Sequence, residues 1–390
     1  MLDRTCPLPE DRKSLLWRFW RSASGYWLDR TARQAWLLST LLIILVVLQL
    51  LVQYRLNFWS RDFFNAIGQR DNDLLWKEAE RFVPLAAISL TAAVASVWGR
   101  MTIEREWRRW LSDHLYDYWL KDERHLQLKF MLGDHQTPEY RIADDARVAT
   151  EQPIDLVLGL LSSVLTAGAF MGVLYSIGGS LDVNPFGLDL SIPNYLVVAV
   201  LIYSISLTTA TLFVGRRLTE TIENNKAAEA CLRETGSKLR VGGEATSLTR
   251  TSSDGRQAIR IALDSVVARW RALCWQVMRM TVVSHTNVLV APSVGALLCA
   301  PKYLAGAMTL GDMVQAAAAF VVVQGAFNWF ADNYGRLAEW SSSASRVASL
   351  LVSLDQLESA DFPQQMPVAA PLPAQNVWLM PRKVEQTRSL

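Results

Sequence analysis

The chain has 390 residues, of which 51% are hydrophobic and 19% charged, with 15 Trp and a positive mean hydropathy of +0.14. That is too apolar for an ordinary water-soluble protein, although the charged fraction requires substantial parts to face water. A formal net charge of only +2 provides no basic field for nucleic acid.

In chain order, residues 1–33 are charged and precede any apolar run, so they read as a cytoplasmic N-terminal segment with an interfacial helix and no cleavable signal peptide. Charge-free apolar runs then occupy residues 35–53, 82–99, 156–181, 190–215, 280–301 and 313–331. A helix rising 1.5 Å per residue crosses about 30 Å of hydrocarbon with about 20 such residues, so six spanning helices are predicted. The second run is short and carries Pro84, which leaves a buried soluble helix as the alternative there. Residues 34–350 are thus expected to form an all-α, six-helix membrane domain. The Pro-rich stretch 351–390 lacks helical periodicity and is expected to be a disordered tail.

Lys and Arg set the orientation. Segments 1–33, 100–155, 216–279 and the tail from 332 together hold 33 of them, whereas segments 54–81, 182–189 and 302–312 hold 6. Both termini are therefore expected in the cytoplasm, and Cys6 and Cys231 with them, which disfavours disulfides. The two inner connections are long and patterned. Trp107, Leu111, Leu115 and Trp119 recur every four residues, so the second span is expected to continue as one helix into the cytoplasm. The fifth span is approached in the same manner, and a turn is expected near residues 236–255, which are rich in Gly, Ser and Thr. Long helical extensions on one face suit levers between a cytoplasmic partner and the membrane; a plain docking or packing surface is the alternative.

Three stretches carry a resemblance. They are YWLDRTARQAWLLSTLLIILVVLQLLVQYRLNFWSRDFFNAIGQRD, RIADDARVATEQPIDLVLGLLSSVLTAGAFMGVLYSIGG and PKYLAGAMTLGDMVQAAAAFVVVQGAFNWFADNYGRLAEW. Over roughly residues 15–350 the chain resembles the transmembrane domain of the SbmA/BacA–YddA-like ABC half-transporters. After the first span it carries Leu56, Asn57, Trp59, Arg61, Asp62, Phe63, Phe64, Asn65, Ala66, Arg70 and Asp71 in register with the family pattern. The resemblance implies an exporter-type six-helix fold working as a homo- or heterodimer in the bacterial inner membrane. It also implies transport of peptides or other mid-sized solutes. Leu56, Trp59, Phe63 and Ile67 lie at helical spacing beside charges of both signs, so a short interfacial helix is expected there, acting as a hairpin cap or as a gate.

The phosphate-cradling pattern G-x-x-x-x-G-K-[ST] does not occur in the sequence. The expectation is a permease subunit with no catalytic residues and no cofactor of its own, ATP entering only through a separate ATPase subunit. A gradient-driven peptide importer and a truncated, non-transporting scaffold are the alternatives. The resemblance places the ATPase-coupling tip at Pro138, Glu139, Arg141, Asp144 and Asp145. Here Thr137 and Tyr140 replace the family's Asn and Gln.

His285, Asn287, Gln324 and Asn328 are candidates to line a substrate path, with Gln315 as a further polar group within the spans. Polar residues in spans are equally used as glue between helices. The four Cys (Cys6, Cys231, Cys274, Cys299) share no short spacing, and the four His give no clear ligand pair, so no metal site is expected.

Overall fold

The computed structural model describes residues 12–29, 32–128, 138–183, 190–245 and 251–359. Expectations for residues 1–11, for Thr137 and for the tail from 360 onward lie outside the described residues.

The order is α1 (Arg12–Ala23), α2 (Ala32–Gln69), α3 (Asn72–Leu120), a short α4 (Arg124–Gln127) and α5 (Pro138–Tyr140). One π-helical turn, Arg141–Asp145, leads into α6 (Ala146–Gly178). A hairpin of β1 (Ser180–Val183) and β2 (Leu190–Pro193) precedes α7 (Tyr195–Gly215), α8 (Leu218–Ala245), α9 (Thr251–Leu304) and α10 (Leu310–Ser359). Among the described residues six helical stretches are long and apolar enough to cross a membrane, one for each charge-free run. The second run is a span: α3 continues through Pro84 as a single helix of 49 residues. Pro is tolerated in membrane helices because neighbouring groups can take up the freed backbone carbonyl.

Three expectations need correction. The stretch 55–69 is no separate interfacial helix but the end of α2, whose 38 residues extend for about 57 Å. It stays helical because no Gly or Pro interrupts it before Gly68, and the chain reverses only at Arg70, which adopts φ +56°. The loop after the third span opens as a small antiparallel hairpin pairing Ser180 with Pro193 and Val183 with Leu190. The fourth span therefore starts at Tyr195, and among the described residues the fold is all-α apart from this hairpin. The boundary at residue 350 also moves, because α10 runs to Ser359 and buries Leu351, Leu354 and Leu357.

The core has two parts. Near the hairpin end, Phe170, Leu174, Leu196, Val200, Phe320 and Val323 join α6, α7 and α10. At the opposite end, Phe19, Tyr26, Trp107, Leu111, Ile142 and Leu354 join α1, α3, the π turn and α10. The four-residue stripe of α3 lies in this second core. Trp107, Leu111 and Leu115 are fully buried within the chain, and Trp107 Nε1 donates to the Ala23 carbonyl oxygen at 3.0 Å. The α8–α9 pair differs, since α8 packs chiefly on α9 alone and has no buried residue over 218–239. Ile261, Val267 and Trp270 on α9 are exposed.

Candidate functional site

The aromatic, charged end of α2 forms a clasp at the hairpin end. Asn57 Nδ2 donates to the Gln315 carbonyl oxygen at 3.2 Å, and Gly311 N donates to Asn65 Oδ1 at 2.8 Å. Both bonds tie α2 to the start of α10, which comes so close that a Cβ on Gly311 would overlap the Arg61 carbonyl oxygen. Trp59 Nε1 donates to the Glu78 carbonyl oxygen at 2.7 Å and joins α2 to α3, its ring stacked on Phe63 at 5.2 Å. Arg61 pairs with Asp62 at 2.9 Å and lies over the Phe58 ring. Asp71 caps α3 by accepting from the backbone N–H groups of Asp73 and Leu74. Between the two readings of this motif, its visible contacts are those of a cap.

Mid-span, the structure brings together two of the four proposed path residues. Tyr203 OH on α7 donates to Asn287 Oδ1 at 3.1 Å, and Asn287 Nδ2 on α9 donates to Gln324 Oε1 on α10 at 3.2 Å. This chain of bonds joins three helices, as interhelical glue does. Tyr203 was missed because a phenol in an apolar run reads as an aromatic. Asn328 stands apart, donating to Asp332 Oδ1 one turn on at 2.8 Å, while its own Oδ1 is buried with no partner among the described residues. His285 is exposed on α9, two residues and thus more than half a turn from Asn287. It does not join the cluster.

Where the spans leave the apolar zone, a charged layer joins α3, α6 and α10. Asp155 accepts from Arg100 and from Arg336 Nη2, the latter at 2.8 Å. Glu151 meets Arg147 at 3.2 Å and Arg108 at 3.6 Å. Beyond the apolar run, Glu104 is pushed up to about 7, first by burial and then by the charges of Asp155 and Glu151, which outweigh Arg100 and Arg336. This layer was legible only as isolated charges at helix ends, because its bonded partners are up to 181 residues apart.

Further along the same end, the proposed coupling tip divides into two faces. Asp145 is buried and accepts two bonds from Arg346, and Arg141 Nη1 lies 3.5 Å from the Arg346 carbonyl oxygen. These two side chains are buried against α10. Glu139 and Tyr140 are exposed, while Pro138 and Asp144 are half-buried. Among the described residues no three His, Cys, Asp or Glu side chains gather as a metal site would require.

Among the described residues, six apolar helices with a clasp at one end and long extensions at the other define a multi-pass membrane protein. The chain belongs to the family described as ABC transporter transmembrane region 2, whose model matches residues 28–304. It is 24% identical over 346 residues to the inner membrane ABC transporter ATP-binding protein YddA of Escherichia coli, covering 87% of this chain and 61% of that protein. An uncharacterized ABC transporter ATP-binding protein of Synechocystis is 24% identical, over 83% of this chain and 47% of its own length. ABC transporter D family member 2, chloroplastic, of Arabidopsis thaliana is 21% identical, over 88% of this chain and 46% of its own length. The chain thus spans about half to three-fifths of the length of these relatives.

Proposed function

We propose that the chain is the permease subunit of an ABC-type transporter carrying a peptide-like or other mid-sized solute across the bacterial inner membrane. Two six-helix domains enclose the path, both termini face the cytoplasm, and ATP is hydrolysed on a separate polypeptide. The α8–α9 pair carries this reading. It leaves the body of the protomer with Ile261, Val267 and Trp270 exposed, beyond the apolar run of the fifth span, where lipid cannot cover them. A second membrane domain supplies the cover, and Glu139 and Tyr140 offer the exposed surface for the ATPase subunit.

The resemblance to peptide-carrying half-transporters supports the substrate class, and the relatives named as ATP-binding proteins support coupling to ATP. A gradient-driven importer is the second reading, favoured by Glu104, which titrates near neutral pH at the end of the apolar zone. Uptake of a labelled proline-rich peptide by cells lacking other importers tests the assignment. Loss of uptake on removing a partner ATPase supports the first reading, loss on collapsing the proton gradient alone supports the second, and no uptake in either state overturns both.

A further inference from the structure

A cavity of about 200 Å³ lies where α1, α2, α3 and α6 meet, in the second core and away from the path residues. Its wall is almost wholly apolar and includes Trp20, Trp27, Ile43, Trp107, Val157 and Leu161. The one hydroxyl in it, on Ser39, already accepts from Trp27 Nε1 at 3.1 Å. A polar solute finds little to bond there beyond the Ser39 hydroxyl and the Trp20 indole N–H. Ile43 and Val157 belong to charge-free runs and are 48% and 61% exposed, so the mouth opens sideways onto the bilayer hydrocarbon.

The polar side of this mouth is basic and aromatic. Over its whole length, RKSLLWRFWRSA, α1 has no acidic residue; Arg18 pairs with Asp355 of α10, and Arg21 is exposed. Trp17 and Trp20 are exposed, as interfacial anchors are, and the Arg21 guanidinium lies 5.5 Å from the Trp17 ring. Arg33, exposed on α2, precedes the wall residue Ser39 by six positions, roughly 9 Å of helix rise. Among the described residues neither Arg21 nor Arg33 meets a carboxylate. An apolar slot that opens into hydrocarbon, below unpaired cations at headgroup level, matches one molecule in both halves.

We propose that this crevice is a lipid site, holding one acyl chain of an anionic phospholipid from the surrounding bilayer with its phosphate against Arg21 and Arg33. The inference rests on the chain being a membrane protein and not on its being a transporter. The protein is reconstituted in equal phosphatidylglycerol and phosphatidylcholine, extracted, washed in neutral detergent and weighed by native mass spectrometry.

One phosphatidylglycerol per protomer is expected to survive the wash. Ile43→Trp, which fills the mouth, removes it. Arg21→Gln and Arg33→Gln each lower the preference for phosphatidylglycerol over phosphatidylcholine about fivefold. Both arginines are exposed, so these variants decide the question even if Ile43→Trp fails to fold. A wild-type protein that washes clean overturns the proposal, as does an unchanged preference in the Arg21→Gln/Arg33→Gln double variant. A lipid adduct that forms only after residues 1–11 are removed would place the chain's own N-terminal segment in the crevice, and overturns it equally.

Discussion

Arg346 holds the Asp145 carboxylate through two nitrogens, Nη2 at 2.6 Å and Nε at 2.9 Å, across 201 residues of sequence. Asp145 is only 3% exposed, so the π turn that carries it is fastened to α10 by a charge that water cannot easily reach. Removing one partner leaves the other charge buried and uncompensated, which costs more than the pair contributes. Arg346→Ala should therefore lower stability by about 2 kcal/mol, since the half-exposed arginine softens the loss. The double variant Asp145→Asn/Arg346→Gln, which leaves no lone charge, should recover part of it. Thermal unfolding in detergent gives the comparison, and equal stabilities for Arg346→Ala and wild type would contradict the clamp.

The same geometry separates folding from docking at this tip. Asp145→Lys should reduce thermal stability, because it places a cation against Arg346. Glu139→Lys should leave stability unchanged, because Glu139 is exposed and has no ion-pair partner among the described residues. Glu139→Lys should instead weaken co-purification of an ATPase subunit. If Glu139→Lys binds that subunit as wild type does, the exposed face is not the docking surface.

At the other end, α2 and α10 approach closely at Gly311. A methyl group there would overlap the Arg61 carbonyl oxygen and come within 2.6 Å of Asn65 Cγ, while Gly311 N must still reach Asn65 Oδ1 at 2.8 Å. Neither neighbour is the loose end of a flexible side chain. Gly311→Ala should cost about 1–3 kcal/mol through overpacking. It should also speed proteolysis near the α2–α3 turn, and a variant as protease-resistant as wild type would show that the clasp tolerates separation.

Glu104 gives stability a pH dependence of known sign. Its carboxyl titrates at about 7 in the folded chain, against an ordinary value near 4.5, so the folded state holds its proton more tightly. The stabilising contribution is fully present below the ordinary value and is lost as pH rises through about 7. Asp155 and Glu151 reinforce this shift, and Arg100 and Arg336 oppose it. Glu104→Gln should unfold at a higher temperature than wild type at pH 8, with the gap closing towards pH 5. A gap that stays constant from pH 5 to 8 would mean that Glu104 does not titrate in this window.

What the sequence showed and hid follows from the range of each interaction. Spans were legible because a charge-free run needs no partner to be recognised. The extension of α3 was legible from a stripe with period four. Asn57 and Asn65 could be singled out but not explained, since their partners Gln315 and Gly311 lie about 250 residues away. Arg141 and Asp145 were read as a docking surface because nothing local reveals Arg346. The β1–β2 hairpin was hidden at the ends of two apolar runs, where a short strand and a helix terminus look alike. The stripe at Trp107 was legible as apolar but not its neighbours, because α1 and α10, which cover it, are far away in sequence.

The polar residues within the spans divide into two roles that mutation can separate. Gln324 is buried and accepts from Asn287, which accepts in turn from Tyr203, so its amide is committed to holding α7, α9 and α10 together. Gln324→Leu leaves the Asn287 amide without its acceptor in an apolar setting, where such bonds contribute about 0.6–1.7 kcal/mol. That variant should lose stability by about 1 kcal/mol and lose transport only as far as folded protein is lost. Asn328 bonds only to Asp332, on its own helix, and keeps an amide oxygen without a partner among the described residues. Asn328→Leu breaks no tie between helices, so its unfolding temperature should match wild type. If Asn328 contributes to the path, transport by the same amount of membrane-inserted protein should fall at least several-fold. The decisive comparison is uptake per folded protomer. Wild-type uptake in Asn328→Leu would remove Asn328 from the path, and the polar groups within the spans would then be glue alone.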